Sequence, residues 1–304
     1  MGPAIDWTAV ARDLGSFLGP RARAAEPMSK HTTIGVGGPA RVLAMPATSA
    51  EVARVVRYAL ARGVPYISVG KGSNLIVRDS GYEGVVIQLA EHLTKVHLNQ
   101  RSVCAEGGVS FAALARRMTK LGRTGLEFAI GIPGSVGGAV HMNAGAFGGE
   151  VKDVLERIRV VDGAGKFRSL RAADLRFSYR HTALPPRAIV VDATFSCPPG
   201  AIRTDVYERS VGRKTTQPIW ERSFGSTFVN PPGRFAAELI EGCGLKGRRQ
   251  GGAMFSDLHA NFIVNVDGRA TAADVEALIA LAQEAVRSRY GVELKTEVIV
   301  IGNR

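Results

Sequence analysis

Residues 131–150 read GIPGSVGGAVHMNAGAFGGE, a stretch with seven glycines and three alanines. A segment this poor in large side chains buries little apolar surface of its own. Its bare backbone must lie close to something else. Two readings stand side by side: tight turns with ordinary packing, or a ledge on which a ligand rests.

A length of 304 residues suggests about two domains. Hydrophobic residues at 45% and charged residues at 22% are ordinary for a soluble globular chain. No run of about 18 uncharged apolar residues occurs, so no transmembrane helix and no membrane association are expected. The start, MGPAIDWTAVARDLGSFLGP, has Asp6 early and no basic region followed by an apolar block. It does not read as a signal peptide, and a cytoplasmic location is expected. The three cysteines, Cys104, Cys197 and Cys243, are odd in number and widely spaced. Neither a disulfide framework nor a metal site is expected. The net charge of +12 and pI near 10.0 suit a phosphorylated small molecule or a solvated arginine-rich surface. Nucleic acid is not expected. The basic residues are scattered, KGRRQ at 246–250 is the densest group, and aromatics reach only 7%.

Periodicity predicts a helix near 5–18, a strand over 40–48, and a helix opened by a Thr48/Glu51 capping box with Val52, Val55, Val56, Ala59 and Leu60 at helical spacing. VPYISVG, LIVRD and GVVIQL read as strands. VSFAALARRMTKLGR reads as a helix capped by Ser110 and ended by Gly122. Strands follow at RIRVVD and AIVVDATFS, and CPPG (197–200) marks a boundary. Beyond it come a basic helical segment (201–214), the GSTFVNPP loop, a helix at AAELIEG and the strand NFIVNVD. A long helix with a Thr271/Asp274 capping box follows, and the last strand is VELKTEVIVI. Helices and strands mix in both parts, so the expected class is α+β.

GVGGPA (35–40) fits a dinucleotide fingerprint by letter, but a strand rather than a helix follows it. VGKGSN (69–74) lacks the P-loop pattern. What remains is a strand, a glycine turn carrying Ser73 and Asn74, and another strand. With 131–149, this gives two bare loops, suited to one long ligand with a diphosphate and planar rings.

HTTIGVGGPA, VGKGSNLIV, GLEFAIGIPGSVGGAVHMNAGAFGGEV, FSYRHT, QPIWERSFGSTFVNP, GLKGRRQGGAMFSDLHANFIVN and LKTEVIVIG occur in this order. Together they resemble the UDP-N-acetylenolpyruvoylglucosamine reductase family, from about residue 31 to the end. The short segment from Arg180 to Ser226 resembles the class without the tyrosine-bearing lid module. The resemblance implies an FAD-binding region of the vanillyl-alcohol-oxidase type over 31–200, after a helical segment at 1–30. A substrate-binding domain follows over 201–304. It implies non-covalent FAD, NADPH as co-substrate, a UDP-sugar substrate and a monomer. In the implied reaction, hydride passes from NADPH through FAD to an enolpyruvyl methylene, and the adjacent carbon is then protonated, completing UDP-N-acetylmuramate for peptidoglycan. The runner-up is an FAD oxidase of the same superfamily with another substrate.

Site residues follow from the same resemblance. Gly70, Lys71, Gly72, Ser73, Asn74, Gly134, Ser135, Gly138, Asn143 and Gly145 match flavin contacts. Arg180 matches a catalytic arginine that holds the substrate carboxylate, Ser226 a proton donor, and Glu297 an acid assisting at the enolate. Tyr179 either lines the substrate or nicotinamide site or packs as an ordinary tyrosine. Asn230 matches a diphosphate contact, although Val229 stands where a lysine is usual. The role of His259 stays open. Strand alternation also places Glu297 on one face with Ile299 and Ile301, which leaves two readings open: a partly buried carboxylate, or an exposed glutamate at a strand end.

Overall fold

The computed structural model describes residues 5–303. By backbone contact the chain forms two compact units. One comprises the segment ending at Glu26 with Arg41–Lys71 and Gly84–Val211. The other comprises Pro27–Ala40, Gly72–Glu83 and the segment from Gly212 onward. This differs from a single cut at residue 200. Val206, in the helix Thr204–Gly212, is buried in the first unit's core, and the Ser210 hydroxyl donates to the Glu127 carbonyl at 3.2 Å. The basic segment therefore stays with the first unit. Leu75–Val77 goes to the second because it pairs in parallel with Ile299–Ile301.

In the first unit, Asp6 accepts from the Ala9 N–H and starts the helix Trp7–Leu18. A four-stranded sheet runs in the order Ala22–Pro27, Pro39–Ala44, Tyr82–Gln88, Tyr66–Val69. The strand Pro39–Ala44 directly follows GVGGPA's glycines, as expected of a segment that is no dinucleotide fingerprint. The helix Ser49–Ala61 lays Val52, Val55, Val56 and Ala59 on Val85 and Ile87, whereas Leu60, in its last turn, faces away from this core and is 53% exposed. Only half of its expected capping box forms. The Thr48 hydroxyl accepts from the Glu51 N–H, but the Glu51 carboxylate turns away to Arg21 and the Ala47 N–H.

An antiparallel five-stranded sheet completes the unit, ordered Phe167–Arg171, Leu155–Val161, Ile189–Ser196, Ser102–Glu106, Val96–Leu98. The helix Phe111–Lys120 packs beside it through Phe111, whose ring lies 5.7 Å from Phe195 and 6.2 Å from Phe128. Each such buried ring contributes about 1.5–3 kcal/mol by leaving water. Ser110 stands at the cap position, yet its hydroxyl makes no capping bond; its backbone instead bridges to Ser135. Cys197 is buried, which pushes its thiol up to about 11, whereas Cys104 and Cys243 are half-buried; all three are free thiols.

In the second unit, an antiparallel sheet runs Ser223–Ser226, Phe262–Asn265, Ala253–Phe255, Arg249–Gln250. The helix Ala272–Tyr290 opens with the Thr271/Asp274 box in full and stops at Gly291, at φ +64°. Asp79 adds a second clamp. Its two carboxylate oxygens accept from the Ala272 and Ala273 N–H groups at 2.9 and 3.0 Å, where the helix dipole favours negative charge.

The last strand is shorter than its alternation suggested. Only Ile299–Ile301 is paired in a strand, with one bridge from Thr296 to Phe228. The buried positions are Leu294 and Val298, so Glu297 shares its face with Ile299, which is 45% exposed. Glu297 is half-buried, but not between isoleucines in a core.

Candidate active site

In the first unit, the strand Tyr66–Val69 runs out into Gly70. A Cβ built on Gly70 would fall 2.1 Å from the Ser135 hydroxyl oxygen, so the two glycine-rich stretches meet here. Ser135 caps the short helix Val136–His141 by accepting from the Gly138 N–H. Gly134 has φ +104°, a conformation that L side chains rarely adopt. Most glycines here answer to their own chain. A Cβ on Gly145 would strike the Glu150 side chain at 2.6 Å. One on Gly72, in the second unit, would strike the His31 carbonyl at 2.2 Å. Gly138 is different. It is exposed, and its Cβ would meet only the Ser135 oxygen, at 3.6 Å. Gly138, beside the buried Ser135 that Gly70 makes room for, thus offers exposed backbone without a side chain, the kind of surface a dinucleotide cofactor needs for close approach.

A second group sits on two hairpins of the same unit. Gly145–Ala146 pairs with Gly149–Glu150, and Phe177–Ser178 pairs with His181–Thr182. They border a cleft of about 430 Å³ with Tyr179, Arg180, Glu150 and Lys152 in its wall. Arg180 is at the turn of its hairpin with φ +57°. A left-handed non-glycine residue costs about 1–2 kcal/mol, and such strain is concentrated at functional sites. Arg180 Nη1 donates to the Gly145 carbonyl at 3.0 Å, and its guanidinium lies 5.1 Å from the Tyr179 ring. Tyr179 is 54% exposed, so it is not a packed core tyrosine.

Asn143 joins the two hairpins. It is fully buried at φ +40°. Its Nδ2 donates to Glu150 Oε2 at 3.0 Å and to the Ser178 carbonyl at 3.2 Å, while Oδ1 accepts from the Lys152 N–H. Its amide is therefore occupied by the protein. Glu150 was missed by sequence reasoning, although it ends the very stretch that posed the question. The Lys152 ammonium at 2.7 Å holds its carboxyl below the ordinary range; the Asn143 bond and the Arg180 charge add to this against partial burial.

The remaining candidates lie in the second unit. Ser226 closes the strand Ser223–Ser226 opposite Phe262. The next residue, Thr227, accepts from the Glu297 N–H at 2.9 Å. Asn74 donates from Nδ2 to the Glu297 carbonyl at 3.1 Å, and its own carbonyl accepts from Ile299. The Glu297 backbone is thus tied both to Asn74 and to Thr227, the residue next to Ser226, from three distant parts of the sequence. Ser73 is half-buried, and Lys71, which ends the Arg41–Lys71 segment of the first unit, is exposed. Asn230 Oδ1 accepts from the Ala236 N–H at 3.0 Å, so it also anchors the start of the helix Ala236–Gly242. His259 Nδ1 accepts from the Asn261 N–H at 3.3 Å. Burial, with the Arg213 and Lys246 charges, keeps its pKa below the usual histidine value, consistent with a neutral ring that accepts.

Residues 217–301 match the family model for the C-terminal domain of UDP-N-acetylenolpyruvoylglucosamine reductase, and residues 40–171 match an FAD binding domain. The UDP-N-acetylenolpyruvoylglucosamine reductase of Heliobacterium modesticaldum is 44% identical over 283 residues, covering 91% of this chain and 90% of that protein. This chain belongs to the UDP-N-acetylenolpyruvoylglucosamine reductase family.

A second reductase of the family, from Geobacillus kaustophilus, is 42% identical over 282 residues, covering 91% of this chain and 92% of that one. The crystal structure of the Thermus caldophilus reductase matches with TM-score 0.79 at 35% identity, over 92% of this chain and 99% of that chain. The α+β class with an FAD-binding region of the vanillyl-alcohol-oxidase type is therefore the reductase fold. An alkyldihydroxyacetonephosphate synthase structure matches at TM-score 0.50 and 19% identity over 66% of this chain, a likeness of fold alone. The FAD-domain match takes in Gly70–Asn74 and Gly134–Gly145. The reductase C-terminal match takes in Ser226, Asn230 and Glu297, and Tyr179 and Arg180 lie between the two.

Proposed function

We propose that this protein reduces UDP-N-acetylglucosamine enolpyruvate to UDP-N-acetylmuramate with NADPH, as a monomeric cytoplasmic enzyme of peptidoglycan precursor synthesis. Membership of the reductase family across both matched regions is the observation that carries this reading. No helix among the described residues is long and apolar enough to cross a membrane. Gly70, Ser135 and Gly138 with the turn Lys71–Asn74 would hold FAD, which when bound supplies hydride transfer from NADPH to the substrate double bond. Gly134, Asn143 and Gly145 shape the backbone around it.

The chain's own residues handle the substrate and the proton. Arg180 pairs its guanidinium with the substrate carboxylate and stabilises the negative charge that develops on the carbon beside it. The Gly145 carbonyl orients that guanidinium. Ser226 delivers its hydroxyl proton to the same carbon, and Glu297 shares a proton at the enolate. Tyr179 and Asn230 contribute to substrate binding. An FAD oxidase acting on another substrate is the weaker reading, since the relatives reported above that match 91% of the chain are reductases.

The test is direct. Purified protein is expected to carry flavin absorbance and to turn over the enolpyruvyl sugar nucleotide with NADPH. A yellow protein without this turnover would favour the oxidase reading. A second test addresses the cofactor ledge. Gly138→Val meets no protein atom closer than 3.6 Å at Cβ, so the fold is expected to survive while FAD is lost. Circular dichroism checks the fold and visible absorbance checks the flavin. Stoichiometric flavin with a normal spectrum in this variant would move the cofactor away from Gly138. Gly134→Val cannot serve here, because its φ alone would strain the chain.

A further inference from the structure

The ladder between Ser223–Ser226 and Phe262–Asn265 ends at the pair Ser226 and Phe262. The chain beyond it leaves the sheet, yet Thr227 and Phe228 are 0% and 1% exposed. Their buried peptide groups need partners, and Asn261 provides three. Its backbone carbonyl accepts from the Thr227 N–H at 2.8 Å. Its Oδ1 accepts from the Phe228 N–H at 2.9 Å, and its Nδ2 donates to the Phe228 carbonyl at 2.9 Å. One side chain thus imitates the edge of a strand and continues the ladder where the backbone cannot. The effect reaches further, because the Thr227 carbonyl accepts from the Glu297 N–H and the Val229 N–H donates to the Lys295 carbonyl.

We propose that Asn261 is a positioning residue for the reaction: it sets the segment Ser226–Phe228, and through Thr227 the backbone of Glu297, in the place from which Ser226 delivers its proton. This rests on the reading of Ser226 as proton donor. Asn261 is 4% exposed, so it acts through these bonds. Without its amide, the Phe228 N–H and C=O are buried and unpaired, at a cost of about 1–3 kcal/mol each, and the segment shifts to find partners. A shift of about 1 Å in a catalytic group can cost about a hundredfold in rate.

The experiment uses flavin-loaded Asn261→Leu, Asn261→Asp, Ser226→Ala and the Asn261→Leu/Ser226→Ala double variant. Rapid mixing measures flavin reduction by NADPH and, separately, flavin reoxidation by saturating UDP-N-acetylglucosamine enolpyruvate. Asn261→Leu is expected to keep its flavin and its reduction rate, and to slow reoxidation roughly a hundredfold. Asn261→Asp, which retains the acceptor for Phe228, is expected to recover part of that loss. In the Ser226→Ala background, Asn261→Leu is expected to add nothing. Equal slowing of both half-reactions, or a full further loss in the double variant, would overturn the proposal and leave Asn261 a purely structural residue. Normal reoxidation in Asn261→Leu with slow reoxidation in Ser226→Ala overturns this inference alone. Normal reoxidation in Ser226→Ala overturns the donor assignment as well. If Asn261→Leu does not accumulate as folded protein, Asn261→Asp alone and combined with Ser226→Ala carries the same comparison.

Discussion

Replacing Ser226 by alanine is expected to leave flavin reduction by NADPH nearly intact and to slow flavin reoxidation by the enolpyruvyl substrate by roughly 10²–10⁴-fold, the usual contribution of a positioned general acid. A serine hydroxyl is a weak acid in water. It becomes useful where negative charge builds directly beside it and water is kept away. The neighbouring residues Thr227 and Phe228 are buried, so the chain next to Ser226 is held with little freedom. Alanine keeps the backbone pairing of Ser226 with Phe262 and removes only the oxygen. Stopped-flow absorbance separates the two half-reactions. Equal slowing of both would identify a serine that supports structure rather than proton transfer.

Arg180→Lys keeps the charge and is nevertheless expected to slow the same reoxidation step roughly 10²–10³-fold, as loss of an oriented donor to developing charge does. A lysine cannot hold the Gly145 carbonyl and present a planar fork to a carboxylate at once. Glu297→Gln preserves size and the backbone bonds to Thr227 and Asn74, and it removes the proton that can be shared. If both side chains serve one carboxylate, their losses do not add. The double variant should then be little slower than the slower single one. Measurement at saturating substrate on pre-reduced enzyme decides. Strictly additive losses, or a near-normal Arg180→Lys, would show that the two residues do not share the substrate carboxylate.

Much of the local structure could be read from the residues. The Thr271/Asp274 box, the helix Ala236–Gly242 and the stripe Val52, Val55, Val56 and Ala59 all rest on short-range chemistry that a single chain displays. What escaped reading depended on distant partners. Alternation in VELKTEVIVI reports which side chains could share a face, but Leu294 and Val298 are the ones buried, and pairing is limited to the three residues that find Leu75–Val77. Thr48 kept its half of a capping box while Glu51 was drawn to Arg21, a competitor that spacing does not reveal. The family motifs pointed to Arg180, Ser226 and Glu297. No local pattern announces that Arg180 is left-handed, that Asn143 spends its amide on two hairpins, or that Asn261 completes a ladder. The glycines of 131–149 turned out to serve two needs. Gly145 and Gly149 make room for their own chain, and Gly138 leaves room beside it.

The interleaving of the two units bears on how the chain is made. It passes between them after Glu26, Ala40, Lys71, Glu83 and Val211. During synthesis, Leu75–Val77 leaves the ribosome long before its partner Ile299–Ile301 exists, and Asp79 waits almost as long for the helix it clamps. The second unit therefore cannot finish until Ile299–Ile301 emerges, and it must then close a loop of most of the chain's length. Such closures slow folding because their entropy is lost before the contacts form. An early strand with an open edge is meanwhile a hazard for association with other chains. Newly made copies of this protein should depend on chaperones until translation ends, and severing the chain at residue 200 should leave a C-terminal piece without the strand that Ile299–Ile301 pairs with.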